Sequence, residues 1–224
     1  MDGNRRFAWG RSLQTEAGHS AGKQKLKEVM RWVLDLEIPY LTVYALSTEN
    51  LSSRNDAELE TLFDLYISGL EEISQDPLIH DNNVRVQVVG RKELLPKRVL
   101  DAIKKAEYAT SKYSDFLFTV CLAYGGREEI VDAVKEIAEA HASGEIELDS
   151  IDPSTISNRL YTADLPDPDL VIRTSGEERI SNFLLWQIAY SELYFSDVHW
   201  PSFGRRDLYE AIEDYQMRRR RYGS

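Results

Sequence analysis

The N-terminal segment gathers residue types that bind phosphate and divalent metal ions. A carboxylate, a glycine, an amide and two guanidinium groups follow one another as Asp2, Gly3, Asn4, Arg5 and Arg6. Glycine lets backbone N–H groups approach an anion, arginine donates charge-assisted hydrogen bonds, and a carboxylate binds a hard cation such as Mg²⁺. The same composition is also typical of a frayed, polar chain terminus. The segment alone leaves both interpretations open.

A second cluster of phosphate-binding residue types lies between residues 173 and 181. Arg173, Arg179 and Ser181 follow the apolar run 169–172, together with a glycine and further hydroxyl side chains. Ligands of parallel sheets bind at the carboxyl ends of strands, so this loop is suited to hold a diphosphate through bidentate arginine contacts. A surface loop of Arg/Glu salt bridges is the alternative.

Two shorter motifs are weaker by themselves. Residues 47–50 place Ser47 and Asn50 directly after an apolar run, which predicts either an active-site loop or ordinary turn and cap chemistry. His19 lies near the predicted start of a helix, where it can bind an anion or act as a structural cap.

Composition and missing motifs exclude several function classes. The 224 residues include 27 Lys+Arg and 38 Asp+Glu, giving a formal charge of −11, which argues against a nucleic-acid partner. A single Cys121, no signal peptide and no apolar run of about 20 residues favour a cytoplasmic protein. Nucleotide-binding glycine motifs, a Cys/His metal cluster and a serine-hydrolase elbow do not occur. A metal-assisted site for one or two phosphorylated ligands remains.

Hydrophobic periodicity alternates between the spacing of helices and that of buried strands. The pattern predicts helices over about 26–34, 56–73, 96–112, 127–142 and 206–221, and strands over 41–46, 84–89, 116–123, 169–173 and 192–195. Strands that alternate with helices imply βαβ crossovers. The sequence therefore predicts one α/β domain over residues 1–224, with a mostly parallel central sheet and helices on both faces.

Taken together, these motifs resemble those of the cis-prenyltransferases, the family of undecaprenyl and dehydrodolichyl diphosphate synthases. The matching stretches are 1–6, 18–22, 44–50, 124–127, 169–177, 179–187, 191–195 and 200–201, in the family's order over nearly the whole chain. The pair Arg5-Arg6 is similar to archaeal and eukaryotic members. The resemblance implies a transferase that condenses isopentenyl diphosphate with an allylic diphosphate, such as farnesyl or geranylgeranyl diphosphate. Each new double bond is cis, and the product serves glycosyl carrier lipid synthesis.

The resemblance also assigns roles to individual residues. Asp2 is implied as the Mg²⁺-binding, catalytically central carboxylate, and Glu192 as a metal-linked position across a dimer interface. Ser47 and Asn50 are implied to lie near the homoallylic substrate and to assist proton removal. The implied ligands of the allylic diphosphate are Gly3, Asn4, Arg5, Arg6 and His19, and those of isopentenyl diphosphate are Arg173, Arg179 and Ser181.

Three further substrate-binding positions follow from the same resemblance. Arg54, with Glu58, lies one place later than the arginine and glutamate that usually follow the family's Ser-x-Glu-Asn motif. Arg221 and Gly223 resemble a C-terminal R-x-G motif that reaches the neighbouring subunit's site. Thr15, Leu46 and Leu51 depart from the common pattern around the substrate pocket.

The resemblance implies a homodimer, transient membrane contact for product release, and an apolar channel for the growing chain. The channel is expected between the helices from about residues 19 and 56, lined by Val29, Val33, Leu62, Phe63 and Tyr66. Members carry a strand before the Asp-Gly-Asn motif, which is expected to precede residue 1 here.

Two other functions are possible from the motifs. A non-catalytic partner subunit of a heteromeric prenyltransferase keeps the C-terminal R-x-G but usually loses the Asp-Gly-Asn and histidine positions, which this chain retains. A phosphate-ester hydrolase on an α/β scaffold is the interpretation that remains without the resemblance.

Overall fold

The computed structural model describes residues 1–218. Their α-helices are α1 Asn4–Trp9, α2 Thr15–Asp35, α3 Thr48–Ser53, α4 Asp56–Ile73, α5 Pro77–Asp81, α6 Lys97–Thr110, α7 Gly126–Ala142, α8 Pro153–Ser157 and α9 Arg205–Met217. Their strands are β1 Tyr40–Ser47, β2 Val84–Val89, β3 Phe116–Tyr124, β4 Leu170–Arg173 and β5 Glu192–Phe195. Short 3₁₀ helices occupy Lys92–Leu94, Leu148–Ser150 and Trp200–Ser202.

All pairings among the described strands are parallel, and they form two ladders. The first has the order β1-β3-β2, with Tyr44 opposite Cys121 and Val88 opposite Val120. The second pairs β4 with β5, and Arg173 lies opposite Phe195. Since parallel neighbours require crossover connections, helices must separate the strands in sequence. The predicted parallel α/β fold is confirmed.

Both faces of the first ladder are covered by other parts of the chain. On one face, side chains of α4 and α6 pack with Leu46, Val88 and Leu122 in a buried apolar cluster. On the other face, Val89 and Cys121 pack against the segment that contains Leu184 and Ile188. Strand residues that alternate in direction are thus buried on both sides, as parallel strands usually are.

The bounds of the longer elements follow local sequence signals, whereas the short helices α1, α3, α5 and α8 were not predicted. Strand β2 spans the predicted residues 84–89, and α4 begins after Asn55, whose Oδ1 accepts a hydrogen bond of 2.9 Å from the Glu58 N–H. Helix α1 was not predicted, because its six residues are too few to show periodicity. In the part described, no helix is both long and apolar enough to cross a membrane.

A buried carboxylate fixes the segment after residue 180 to the first ladder. Glu129 of α7 is 1% exposed and accepts hydrogen bonds from the Tyr124 hydroxyl, the Gln187 amide and the Tyr161 N–H. Burial raises the pKa of Glu129, although these three donors oppose the shift. Because Gln187 continues the loop with Arg179 and Ser181, this network helps to position the predicted phosphate-binding residues.

Candidate active site

A single cleft contains nearly all of the predicted site residues. It runs between β1 and β4 and encloses about 1410 Å³. The predicted residues that line it are Asp2, Gly3, Asn4, Arg5, Arg6, His19, Ser47, Asn50, Arg54, Arg173, Arg179 and Ser181. Ser47 and Arg173 end β1 and β4, so the polar side chains gather at the carboxyl ends of parallel strands.

Asp2 is held by the loop that follows β4. Its backbone N–H donates to the Thr174 hydroxyl over 3.0 Å, and that hydroxyl in turn donates to the Asp2 carbonyl over 3.0 Å. Arg173 Nη2 donates to Asp2 Oδ2 over 3.1 Å. Partial burial acts to raise the pKa of Asp2, but the hydrogen bonds from Arg173 and from the Gly3 N–H outweigh it and lower the pKa. Asp2 is therefore a carboxylate at neutral pH.

Gly3 makes the turn that leads from Asp2 into α1. Its φ is +95°, and a Cβ at this position would lie 2.7 Å from Ser175 Oγ and 2.9 Å from His199 Cδ2. Only glycine fits such a left-handed and crowded position. The turn directs the following side chains, from Asn4 to Arg6, into the cleft, so the segment is not a frayed terminus.

Arg173 connects the two predicted phosphate-binding clusters. Besides Asp2, its guanidinium contacts Ser181 Oγ at 2.7 Å and the Arg179 carbonyl. Glu177 forms a second connection, because its carboxylate pairs with Arg6 at 3.0 Å and also with Arg179. The arginines of the loop therefore face the cleft and do not form only a surface salt-bridge network.

His19, Arg54 and Glu58 form a buried polar group on the opposite wall. Arg54 pairs with Glu58 at 2.8 Å, and His19 Nε2 lies 3.5 Å from the same carboxylate. Burial and the nearby Arg54 charge lower the pKa of His19, while Glu58 opposes this shift. The one-residue displacement of Arg54 and Glu58 in sequence thus still leaves their guanidinium and carboxylate beside His19.

Several buried polar atoms of this wall have no hydrogen-bond partner in the described part of the chain. They are Asn4 Oδ1, His19 Nε2 and Arg54 Nε. Buried polar groups without partners are rare in native proteins and usually indicate a bound ligand, ion or water. The two nitrogen atoms can donate to an anion with several oxygen atoms, whereas Asn4 Oδ1 is itself an acceptor and needs a donor or a cation.

Ser47 and Asn50 combine cap chemistry with a place in the cleft. Ser47 Oγ accepts a hydrogen bond of 3.0 Å from the Asn50 N–H and so caps α3. The Asn50 side chain remains exposed in the cleft. The cap interpretation is confirmed, and the catalytic role of the two residues stays a prediction.

One predicted residue that the structure describes, Glu192, does not line the cleft. Glu192 begins β5, lies opposite Leu170 at the far end of the second ladder from Arg173, and pairs with Arg218 at 2.9 Å. Its predicted role across a dimer interface is not tested by one chain. Arg221 and Gly223 lie outside the described residues.

Among residues 1–218, no group of three or more His, Cys, Asp or Glu side chains is arranged to hold a metal ion. Asp2 is the predicted metal ligand that lies in the cleft. One carboxylate is compatible with Mg²⁺, which proteins often bind through one or two carboxylates together with substrate phosphates.

Comparison with known proteins identifies the family. The family model described as "Putative undecaprenyl diphosphate synthase" matches residues 1–223. The chain belongs to this family. The prenyltransferase is 53% identical over 223 residues to a geranylgeranyl-diphosphate-specific tritrans,polycis-undecaprenyl-diphosphate synthase of Methanopyrus kandleri, covering 100% of this chain and 82% of the relative. An enzyme of the same name from Methanocaldococcus jannaschii is 52% identical over 225 residues and covers 100% and 80%.

Solved structures agree with this family membership. The lavandulyl diphosphate synthase of Lavandula x intermedia, crystallised with dimethylallyl diphosphate, superposes with a TM-score of 0.96 at 35% identity, covering 100% of this chain and 95% of that one. A "probable undecaprenyl diphosphate synthase" from Campylobacter jejuni gives 0.79 at 30% identity and covers 92% and 93%. These relatives are synthases, so the comparisons give no support to the non-catalytic partner alternative.

The apolar part of the cleft is suited to a prenyl chain. Val29, Val33, Leu62 and Tyr66 line it as predicted, on α2 and α4. Phe63 does not line the cleft and packs instead in the core between α4 and α6, among the residues around Val99. Helix geometry explains the difference, because adjacent residues point about 100° apart around the axis.

Three residues that organise the prenyltransferase site were not singled out from the sequence. Thr174 holds the Asp2 backbone, Glu177 connects two arginines, and Asn182 bonds the neighbouring loops. Their position inside or next to the stretch 173–181 could have indicated that they belong to the site. Their individual partners, however, are as many as 172 positions away in sequence.

Proposed function

We propose that the chain condenses isopentenyl diphosphate with geranylgeranyl diphosphate and extends it into a cis-polyprenyl diphosphate for glycosyl carrier lipid synthesis. The specificity printed for the archaeal relatives supports geranylgeranyl over farnesyl diphosphate as the primer. The observation that carries the proposal is the position of Arg173, which bonds both Asp2 and Ser181 at the mouth of an apolar cleft.

The allylic diphosphate would occupy the side of the cleft formed by α1 and α2. His19 Nε2 and Arg54 Nε make no hydrogen bond within residues 1–218, and the Arg54 Nε–H, with His19 Nε2 when it carries a proton, would donate to the diphosphate beside Arg6. When the carbon–oxygen bond of the primer breaks, negative charge develops on the leaving diphosphate. Fixed donors in a buried site stabilise that charge without reorganising.

Isopentenyl diphosphate would bind at the loop after β4. Arg173, Arg179 and Ser181 would hold its diphosphate and direct its double bond toward the allylic carbon. After the new carbon–carbon bond forms, the proton would leave to a base near Ser47 and Asn50 or to a diphosphate oxygen. Ser47 ends β1, Asn50 lies in α3 directly after it, and both line the same cleft.

Asp2 would hold Mg²⁺ together with diphosphate oxygens. A bound Mg²⁺ neutralises charge on the diphosphate that leaves. The lowered pKa of Asp2 supports this role, because the ionised carboxylate is the form that binds a metal. Glu192 would add a carboxylate only from a neighbouring subunit, since in its own chain it lies at the other end of the ladder.

The proposal includes one catalytic domain per chain and a cytoplasmic homodimer. Arg221 and Gly223 would reach the neighbouring subunit's site, and the enzyme would touch a membrane only to release its product. Support for these points comes from the family resemblance.

A primer panel tests the proposed function. The chain would be incubated with Mg²⁺, labelled isopentenyl diphosphate and either dimethylallyl, geranyl, farnesyl or geranylgeranyl diphosphate, and the products separated by length. We expect a polyprenyl ladder with the highest kcat/KM for geranylgeranyl diphosphate. Phosphate release without elongation would support the hydrolase alternative. Activity only after addition of a second subunit would support a partner role.

A further inference from the structure

The Gly125-Gly126 turn after β3 meets two other loops of the cleft at one side chain, Asn182. Asn182 Nδ2 donates to Glu49 Oε1 over 2.9 Å and to Glu128 Oε2 over 3.0 Å. Its Oδ1 accepts from the Arg127 N–H over 2.8 Å, and its carbonyl accepts from the Gly126 N–H over 2.7 Å. We call this group the Asn182 junction.

From this geometry we infer that Asn182 is a positioning residue, which fixes the isopentenyl diphosphate loop relative to the loop that carries Ser47 and Asn50. This inference rests on the proposed function and deepens it. Glu49 lies between those two site residues, and Ser181 directly precedes Asn182. One amide group thus connects both sides of the condensation site.

The hydrogen-bonding capacity of Asn182 is directed at protein partners. An asparagine amide has two N–H donors and one carbonyl acceptor, and the junction engages all of these groups. Although Asn182 borders the cleft, its amide N–H groups are both occupied and are not available to a diphosphate. Its effect on substrates must therefore act through the residues that it holds.

Two features show that the junction leaves little room for movement. Asn182 has φ +62°, and its neighbour Ser181 has φ +46°, in the left-handed region where non-glycine residues persist only when their contacts define them. A Cβ on Gly125 would lie 2.1 Å from Glu128 Oε2 and 2.8 Å from Asn182 Nδ2. The Gly125-Gly126 pair therefore allows the three loops to approach each other.

An aromatic layer supports the junction from the next residue of the chain. Phe183 stacks on Tyr44 with ring centroids 4.8 Å apart and contacts Tyr124 edge-on at 6.3 Å. Tyr44 also donates from its hydroxyl to the Tyr124 carbonyl over 2.9 Å. Strands β1 and β3 and the Asn182 loop are consequently packed as one unit below the polar contacts.

Kinetic measurements on three single variants and one double variant test the inference. Asn182→Gly removes the amide but keeps a residue that tolerates positive φ. Glu128→Ala removes one partner that does not line the cleft, and Glu136→Ala removes an exposed carboxylate from the same helix as a matched control. KM for each substrate, kcat and the unfolding temperature would be measured for all variants and for Asn182→Gly/Glu128→Ala.

We expect Asn182→Gly to raise KM for isopentenyl diphosphate and lower kcat, each by about tenfold, because a misplaced reacting group slows chemistry strongly. In Asn182→Gly, KM for the allylic primer should change by less than about twofold. Glu128→Ala should raise KM for isopentenyl diphosphate and lower kcat by only about threefold, again with little change in KM for the primer. The double mutant should be no slower than Asn182→Gly alone. Glu136→Ala should match the wild-type enzyme.

Three results would overturn the inference. The first is wild-type kinetics in Asn182→Gly, and the second is an equal rise of KM for both substrates in that variant. The third is a double variant whose changes in kcat and KM are the products of those in the two single variants. If Asn182→Gly does not fold, Glu128→Ala decides in its place, through the difference between its changes in KM for the two substrates. An inactive wild-type chain would overturn the proposed function and the inference with it, whereas an active wild type with unaffected variants overturns the inference alone.

Discussion

Arg179 offers a residue-level test of the two-site arrangement. Its guanidinium pairs with Glu177 and is 64% exposed in the cleft, so it is free to exchange that partner for a phosphate. We expect Arg179→Ala to raise KM for isopentenyl diphosphate by about tenfold or more, the value of a charge-assisted hydrogen bond. KM for the allylic primer should remain nearly constant in steady-state assays.

The matched control for this substitution is Arg206→Ala. Arg206 is 90% exposed on α9 and pairs with Glu210 away from the cleft. An equal rise of KM for both substrates in Arg179→Ala would contradict the assignment of Arg179 to isopentenyl diphosphate. Damage of similar size in Arg206→Ala would point to a general effect of lost positive charge.

The lowered pKa of His19 should make the free energy of unfolding depend on pH. Its pKa is lowered in the folded protein, so below its ordinary 6.5 the unfolded chain binds more protons than the folded one. Stability therefore falls as pH falls through this range, and His19→Gln should remove that component. Urea unfolding between pH 8 and pH 5 measures it, with exposed His141→Gln as the control. An unchanged pH dependence in His19→Gln would contradict the prediction.

Residue types could be predicted from the sequence, but the contacts between them could not. Asp2, Arg173 and Ser181 were identified because carboxylate, guanidinium and hydroxyl groups after strands suit phosphate binding. Thr174 lies in the same hydroxyl-rich stretch, but the residue types of Thr174 and Asn182 do not indicate which groups they bind. Their importance comes from partners that only the folded chain brings near, such as Asp2 beside Thr174.

At the scale of elements, α2 and α4 form the apolar wall of the cleft, and Gly69 tests that wall. A Cβ on Gly69 would touch only Lys23 Cε, at 3.7 Å, so Gly69→Ala fits without strain. Alanine should stabilise the helix by up to about 1 kcal/mol, raising Tm by about 2–4 °C. The product length of this variant should not change.

Gly69→Leu should instead shorten the products by one or more five-carbon units. Gly69 borders the cleft, and a leucine there would occupy space that the growing chain needs. Separation of products by chain length, with geranylgeranyl diphosphate as primer, gives the readout. A ladder identical to that of Gly69→Ala would show that the prenyl chain does not pass this point of α4.

Strands and long helices were predicted well because their hydrophobic patterns are clear, whereas the short helices were not. Strands β2 and β5 match the predicted bounds, and α7 begins one residue early. Helix α1 depends on the Gly3 turn and on packing against α2, which no local pattern encodes. The division of the strands into two ladders likewise depends on tertiary pairing.

For the whole molecule, the charge distribution is more informative than the total. The chain carries −11, yet Arg5, Arg6, Arg54, Arg173 and Arg179 all line one cleft. Asp2, Glu49, Asp167 and Asp169 line the same cleft, but its basic side chains outnumber them, and a local excess of positive charge attracts anionic ligands. The acidic surface and the basic cleft together favour small anionic substrates over nucleic acid.

Elongation by Asp2→Ala tests the central claim most directly, because Asp2 lies between the two proposed diphosphate sites. The assay uses Mg²⁺, geranylgeranyl diphosphate and labelled isopentenyl diphosphate, with exposed Asp149→Ala as the control and circular dichroism to verify folding. We predict that the folded variant loses at least about 10²–10³-fold in kcat while the control elongates normally. A polyprenyl ladder formed at the wild-type rate by Asp2→Ala would contradict the account.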